Sequence, residues 1–402
     1  MIQYFVIANP ENRRVLFFQQ ALERFKLAPA RVIPYMDLLN GAISLDEILG
    51  EAVDNLKPNH RLLLRIESPG ENFEVEKRLI ARGAASLGAV AGSSPAASRI
   101  STSAALRLHY DRGRIRYPAQ WFAGFKNLLA EIDGCLQRYQ QVQPTNSPSD
   151  ISLMFDKPRC HRLLNDHDLR VPTTLENVQG YDDLRERMDR LGWKRAFVKL
   201  AYGSSASGVV ALYLDQTHAR ALTTLEMVGS GPRTKFYNNL KLSVYHRHQQ
   251  IRRAIDYLCG ETAQVERWLP KQTMNGRQFD LRVLTVGGKA QHVVVRTSKN
   301  PITNLHLGNK RGDLASLQRK MGSEKWQSVL ETAERAACLL PQSLCIGLDI
   351  LLKPGFREPT ILEINAFGDL LPGAYHDGLS THEAQVSAMN NRSHRMINRS
   401  TT

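Results

Sequence analysis

The sequence predicts an α/β domain followed by a larger α+β region, and three observations carry this. Strand-like and helix-like periods alternate over the first third of the chain. The C-terminal half instead runs strand into strand across Gly-rich turns. A chain of 402 residues is also too long for one core, so about two or three domains are expected.

Each element follows from its local pattern. Gln3 to Ala8 is an apolar run of strand length. "RVLFFQQALERFK" (14–26) spaces its apolar groups as a helix does, "ARVIPYM" is a second strand and "RLLLRI" a third. "ESPGENFEVEKRLIARGA" opens on a helix-start signal and continues as an amphipathic helix. Residues 91–105 are small and polar and read as a loop or lid, a helix is expected over 117–140, and "QVQPTNSPSD" (141–150) has the composition of a linker. Residues 151–167 are helical with a kink at Pro158, and "RAFVKLAYGSSASGVVALYL" reads strand, Gly/Ser loop, strand. "THARALTTLEMVG" has helical spacing. "LRVLTVGGKAQHVVVR" is a hairpin turning on Gly-Gly, residues 323–340 are a helix, and "CIGLDILLKPGFREPTILEINAF" is a last hairpin. After Asp377 the chain offers a short helix at most. The expected divisions are an α/β domain over 1–145, two further units over 150–265 and 266–376, and a polar tail over 377–402.

Composition narrows the function. No apolar run approaches the roughly 18 residues that span a bilayer. The five cysteines are odd in number and lack a Cys-x-x-Cys pair, which argues against a disulfide framework or zinc site and for a reducing cytoplasm. The net charge is +14, and between Gly231 and Arg311 stand 15 Lys/Arg against four Asp/Glu. Such a patch suits nucleic acid, an acidic peptide or the clustered phosphates of a small ligand, and several of these cations fall inside apolar strands, which argues against a merely solvated face. His246 and His248 have metal-like spacing without a carboxylate nearby in sequence and read as a surface pair.

The last hairpin carries the strongest chemical signal. If it is symmetric about its turn, Asp349 lies opposite Glu363, on the face shared by Asn365. Two facing carboxylates among Ile346, Leu348, Ile361 and Leu362 repel unless a cation joins them, and an all-oxygen set suits Mg²⁺ held together with phosphates. Gly203 and Gly208 have the spacing of a phosphate loop, but Val209 and Val210 stand where a Walker loop needs Lys-Ser/Thr, so that loop type is excluded. A Gly/Ser turn can still offer backbone N–H groups to phosphates, with Lys199 supplying charge. In "VERWLPKQTMNGRQFDLRV", Glu266 and the Trp268-Leu269-Pro270 run could seat a purine. Asp280 and Arg282 share a strand face suited to ribose hydroxyls and phosphate oxygens. Arg296 and Asn304 continue that polar row.

The ordered set of Lys, Gly/Ser loop, Glu hinge, Asp-x-Arg, Arg and Asn, Asp, and Glu-x-Asn resembles the ATP-grasp superfamily. Within it the pattern is similar to prokaryotic glutathione synthetases and related carboxylate–amine ligases. The resemblance spans roughly residues 150–375, with the N-terminal segment in the place of the small pre-ATP-grasp domain. It implies an ATP-grasp fold, ATP as cosubstrate and two Mg²⁺ ions, with Mn²⁺ as an alternative. By position it implies that Lys157, Lys199 and the loop Gly203, Ser204, Ser205, Ser207 and Gly208 hold the triphosphate. It gives Glu266, Arg267, Trp268 and Leu269 to adenine and Asp280 to ribose. Arg282, Arg296 and Asn304 then meet phosphate and acyl phosphate, and Asp349, Glu363 and Asn365 ligate the metal. The implied reaction is ATP-dependent joining of an acidic small molecule or peptide to an amine or other nucleophile through an acyl phosphate. A kinase of the same fold acting on a polyanion, or a non-catalytic nucleotide- and nucleic-acid-binding protein, are the rivals. Nucleic acid and membrane partners are not expected. The sequence departs from the synthetases after Glu363-x-Asn365, at Ala366-Phe367-Gly368-Asp369, where a changed acceptor site is expected.

Overall fold

A computed structural model describes residues 1–87, 99–203, 206–231, 234–368 and 370–397. The N-terminal part is built from β1 (Ile2–Ala8), α1 (Arg13–Arg24), β2 (Arg31–Pro34), α2 (Tyr35–Asn40), α3 (Leu45–Asp54), β3 (Arg61–Ile66), α4 (Phe73–Leu87), α5 (Thr102–Leu106), α6 (Pro118–Arg138) and β4 (Val142–Pro144). Its four strands form a parallel sheet in the order β2-β1-β3-β4. The central strands β1 and β3 bury both sheet faces through the runs Tyr4–Ala8 and Leu62–Leu64, as parallel strands under helices must. Helices α4 and α6 cross at Gly83 and Gly124, where an added Cβ would come within 1.9 Å of the facing backbone carbonyl, so only glycine fits.

The middle part holds α7 (Pro148–Phe155), α8 (Lys157–Asp166), β5 (Thr174–Leu175), α9 (Tyr181–Arg190), β6 (Arg195–Leu200), β7 (Val209–Leu214), β8 (Ala219–Val228), β9 (Lys235–Tyr245), α10 (His248–Gly260) and β10 (Ala263–Arg267). Its antiparallel sheet runs β5-β10-β6-β7-β8-β9. The last part holds β11 (Thr273–Met274), β12 (Arg277–Val286), β13 (Lys289–Ser298), β14 (Lys310–Arg311), α11 (Leu314–Met321), α12 (Ser323–Cys338), β15 (Cys345–Lys353), β16 (Arg357–Asn365) and α13 (Thr381–Ile397). Its sheet runs β14-β13-β12-β15-β16, with β11 paired to β12. The Gly287-Gly288 turn between β12 and β13 has φ of 61° and 80°, values that admit glycine at both positions. Among the described residues no helix is long and apolar enough to cross a membrane.

Five local expectations are corrected. Residues 219–228 form a strand, because Ala219 to Thr223 pair with β7 and Ala221 to Thr223 and Leu225 to Val228 pair with β9. Pro158 does not kink a helix: α7 ends at Phe155, and Asp156 caps a new helix that places proline in its first turn, where its missing N–H is not needed. The 141–150 stretch is not a free linker. Its β4 extends the first sheet, and Thr145, Asn146 and Ser147 are buried. The tail after Asp377 carries α13 of 17 residues, which packs Val386 and Met389 against Tyr4 and Phe18. The expected loop at 91–105 lies outside the described residues up to position 98, and from Thr102 it is α5, capped by Ser101.

Candidate active site

A cleft of about 830 Å³, open mouth included, lies between the second and third sheets. On the second sheet, alternation along β6 buries Ala196, Val198 and Leu200 and turns Phe197 and Lys199 toward the cleft. Lys199 Nζ donates to Glu266 Oε2 at 2.6 Å, and Gln264 Nε2 donates to Glu266 Oε1 at 2.8 Å, so the buried Glu266 has both oxygens engaged. Burial opposes the Lys199 charge, but Glu266, Glu363 and Asp349 outweigh it and hold the ammonium above its usual range.

On the third sheet a charged row crosses four strands in register. Asp280 on β12 faces Arg296 on β13, Arg282 on β12 faces Asp349 on β15, and Asp349 faces Glu363 on β16. Arg296 Nε donates to Asp280 Oδ1 at 2.7 Å and Nη2 to Asp349 Oδ2 at 2.8 Å, while Arg282 Nε lies 2.5 Å from Asp349 Oδ1. Lys271 Nζ donates to Asp280 Oδ2 at 3.0 Å and to Thr303 Oγ1 at 2.8 Å. Lys157 Nζ lies 3.1 Å from Glu363 Oε1 and also donates to the Gly203 carbonyl. Burial would raise the Asp280 and Glu363 carboxyls, but the surrounding cations overcome it and hold both below their usual range. Arg296 is held above its usual range by Asp280 and Asp349 against its own burial, whereas burial wins at Lys271 and lowers it.

The hairpin symmetry expected from sequence holds at its chemical end: Gly347, Leu348 and Asp349 pair with Asn365, Ile364 and Glu363. A register shift follows immediately, so Ile350 pairs with Ile361, and Leu362 is left over to line the cleft. The Gly/Ser loop is fastened from β8: Thr224 Oγ1 donates to Ala206 O at 2.9 Å, and Thr223 Oγ1 to Val209 O at 2.7 Å. Before the loop, Tyr202 stacks on Phe122 of α6 with ring centroids 4.3 Å apart.

Of the residues singled out from sequence, Lys157, Lys199, Gly203, Ser207, Glu266, Arg267, Leu269, Asp280, Arg296, Asn304, Asp349 and Glu363 line this cleft. Asn304 also accepts the His306 N–H with its Oδ1. Arg282 and Asn365 stand beyond the cleft walls, Arg282 on Asp349 and Asn365 opposite Gly347. Gly208 closes the loop at φ +63°. Trp268 turns away and packs on Phe197 and Arg195. Ser204 and Ser205 lie outside the described residues, as does Asp369. Sequence reasoning missed Lys271 and Thr303, although Lys271 belonged to the basic excess. His248 Nδ1 lies 2.8 Å from the Tyr181 hydroxyl.

The donor set fits a hard cation. Asp349, Glu363 and the Asn365 amide offer oxygen only, and among the described residues no three His, Cys, Asp or Glu side chains form a closed cage. An ion here would complete its shell with phosphate oxygens and water, as Mg²⁺ does.

No family model and no curated protein matches the chain. Solved structures do. The ATP-grasp ligase PsnB, complexed with a phosphomimetic variant of a minimal precursor, Mg and ADP, superposes with a TM-score of 0.51 at 14% identity over 97% of this chain and 99% of that one. The D-cycloserine synthetase DcsG superposes at 0.50 with 12% identity over 97% and 99%. N5-carboxyaminoimidazole synthase from Aspergillus clavatus, with ADP and 5-aminoimidazole ribonucleotide, does so at 0.50 with 11% identity over 97% and 77%. The chain has the ATP-grasp fold, preceded by an open parallel α/β sheet.

Proposed function

We propose that the protein is an ATP-dependent ligase that activates a carboxylate as an acyl phosphate and passes the acyl group to an amine or other nucleophile. The carrying observation is the Asp349–Glu363 pair at the end of a cleft walled by Lys157, Lys199, Lys271 and Arg296. The fold, and ligases of that fold solved with ADP and Mg, support the same reading. In it, residues 150–265 and 266–376 are the two halves of the grasp, and 1–145 is the domain before it.

In this reading the cleft exchanges ion pairs. Lys157 and Lys199 leave Glu363 and Glu266 for the β- and γ-phosphates of ATP. The hinge from Glu266 to Leu269 takes adenine, and Asp280 anchors Lys271 and Arg296 at the ribose and phosphate side. Asp349, Glu363 and Asn365 would hold Mg²⁺, which supplies neutralisation of the phosphate charge. A substrate carboxylate oxygen attacks the γ-phosphorus and ADP leaves. The nucleophile then attacks the acyl carbon, phosphate departs, and the nucleophile's proton is lost to solvent. Arg296 stabilises the acyl phosphate and the oxyanion that follows, and Arg282, held on Asp349, adds positive charge behind it. The +14 charge favours an acidic substrate, and PsnB, solved with its precursor peptide, makes a peptide a concrete candidate.

Hydroxylamine tests this directly. With ATP, Mg²⁺ and a host-cell extract as the carboxylate source, an acyl phosphate yields a hydroxamate with equal ADP and phosphate. ATP consumption with a phosphorylated product and no hydroxamate would instead indicate a kinase of the same fold.

A further inference from the structure

The segment 145–147 is locked on both sides. Thr145 N–H donates to Leu64 O of β3 at 2.9 Å, and its carbonyl accepts Leu344 N–H at 2.7 Å. Ser147 N–H donates to Gln342 O at 3.1 Å. Between them the buried Asn146 cannot slide. Its Nδ2 donates to Cys345 O and to Ala366 O, both at 2.7 Å, and its Oδ1 accepts Cys345 N–H at 3.2 Å. The reversed amide would set its oxygen against two carbonyls, so the network admits one orientation.

These partners sit where the last hairpin runs out. Cys345 opens β15, Ala366 follows the end of β16, and the final ladder pair is Gly347 with Asn365. Beyond that pair β15 and β16 share no ladder, β15 staying paired to β12 through Ile346 and Cys345, and one side chain from the N-terminal side of the molecule bridges Cys345 to Ala366. Asn365 is half-buried, and among the described residues its amide nitrogen reaches Gly347 O over a long 3.5 Å. The direction of its oxygen therefore depends on how its backbone is held, and the next residue's carbonyl is held by Asn146.

We propose that Asn146 is a positioning residue for the metal end of the cleft. It fixes the Asn365–Ala366 backbone, and through it the Asn365 amide relative to Asp349 and Glu363. This inference rests on the metal reading of that trio. Asn146 itself touches neither substrate nor ion. Its effect should be confined to metal-dependent binding, because the hinge at Glu266–Leu269 lies on a different sheet.

The test uses full-length protein, ADP and Mn²⁺ as a paramagnetic probe. ADP affinity is measured in EDTA and with Mn²⁺, and the Mn²⁺ spectrum is recorded by electron paramagnetic resonance. In N146D and N146S, ADP affinity in EDTA should stay within about twofold of the parent. The gain conferred by Mn²⁺ should fall by about tenfold, the size expected for one to two lost buried hydrogen bonds. The bound-Mn²⁺ spectrum should also change. N146S removes the bonds without burying a charge, so it answers the question if N146D does not fold. An unchanged Mn²⁺ gain in a folded variant, or equal losses with and without metal, overturns the positioning role and leaves the metal reading standing. A parent protein without any Mn²⁺ gain overturns the metal reading and this inference with it.

Discussion

Asp349 and Glu363 face each other across the last hairpin, and each is already matched by cations: Asp349 by Arg282 and Arg296, Glu363 by Lys157. The proposed ligands of the metal and the proposed ligands of the phosphates are thus each other's partners. Nucleotide and metal should therefore bind together, since either alone leaves one set of buried charges without counterions. ADP titrations with and without Mg²⁺ should differ by at least about tenfold, a modest share of what a broken buried pair costs. Equal affinities would contradict the exchange.

Glu363→Gln keeps the shape and removes the charge. ATP turnover should fall by about 100-fold or more, the scale of losing one electrostatic contact to the transferring group. The circular dichroism spectrum should be unchanged. Normal phosphate release from this variant would remove the metal assignment.

Acid should unfold the protein through this same site. Asp280 and Glu363 are held below their usual range, so their stabilisation is full above the unfolded carboxyl value near pH 4 and is lost as pH falls through the lowered ones. Urea titrations between pH 3 and 7 should show this limb. Asp280→Asn should flatten it while lowering stability at pH 7, because Arg296 and Lys271 lose their shared partner.

Glu261 should act in the opposite sense. Burial pushes its carboxyl up to about 7, against a hydrogen bond from Ala119 N–H at the start of α6. The folded state binds its proton more tightly than the unfolded one, so stability falls as pH rises from about 4.3 to 7. Glu261→Gln should remove that slope and raise the melting temperature at pH 8. An unchanged slope would place the pH dependence elsewhere.

The sequence made one part of the site legible and hid another, for physical reasons. Strand alternation and hairpin symmetry are local rules, and they put Asp349 opposite Glu363 from sequence alone. The pairing of Arg282 with Asp349 is set by strand packing between residues 67 positions apart, which no local pattern encodes. Residues 219–228 have Ala, Leu, Glu and Met at helical spacing, yet two neighbouring strands claim their backbone, and Thr223 and Thr224 fasten the Gly/Ser loop. Asn146 looked like linker polarity because its three hydrogen bonds go to residues about 200 positions away. Lys271, between Pro270 and Gln272, belongs to no local pattern, since only the fold brings its ammonium to Asp280 and Thr303.

Carboxylate activation followed by condensation leaves its signature in the mass of the product. Protein, ATP and Mg²⁺ are incubated with host-cell extract, and the new products are compared with those of Glu363→Gln. The expected product equals two extract components less one water, with ADP and free phosphate formed in equal amounts, and it is absent with the variant. A product that gains only a phosphoryl group, with ADP but no free phosphate, would contradict it.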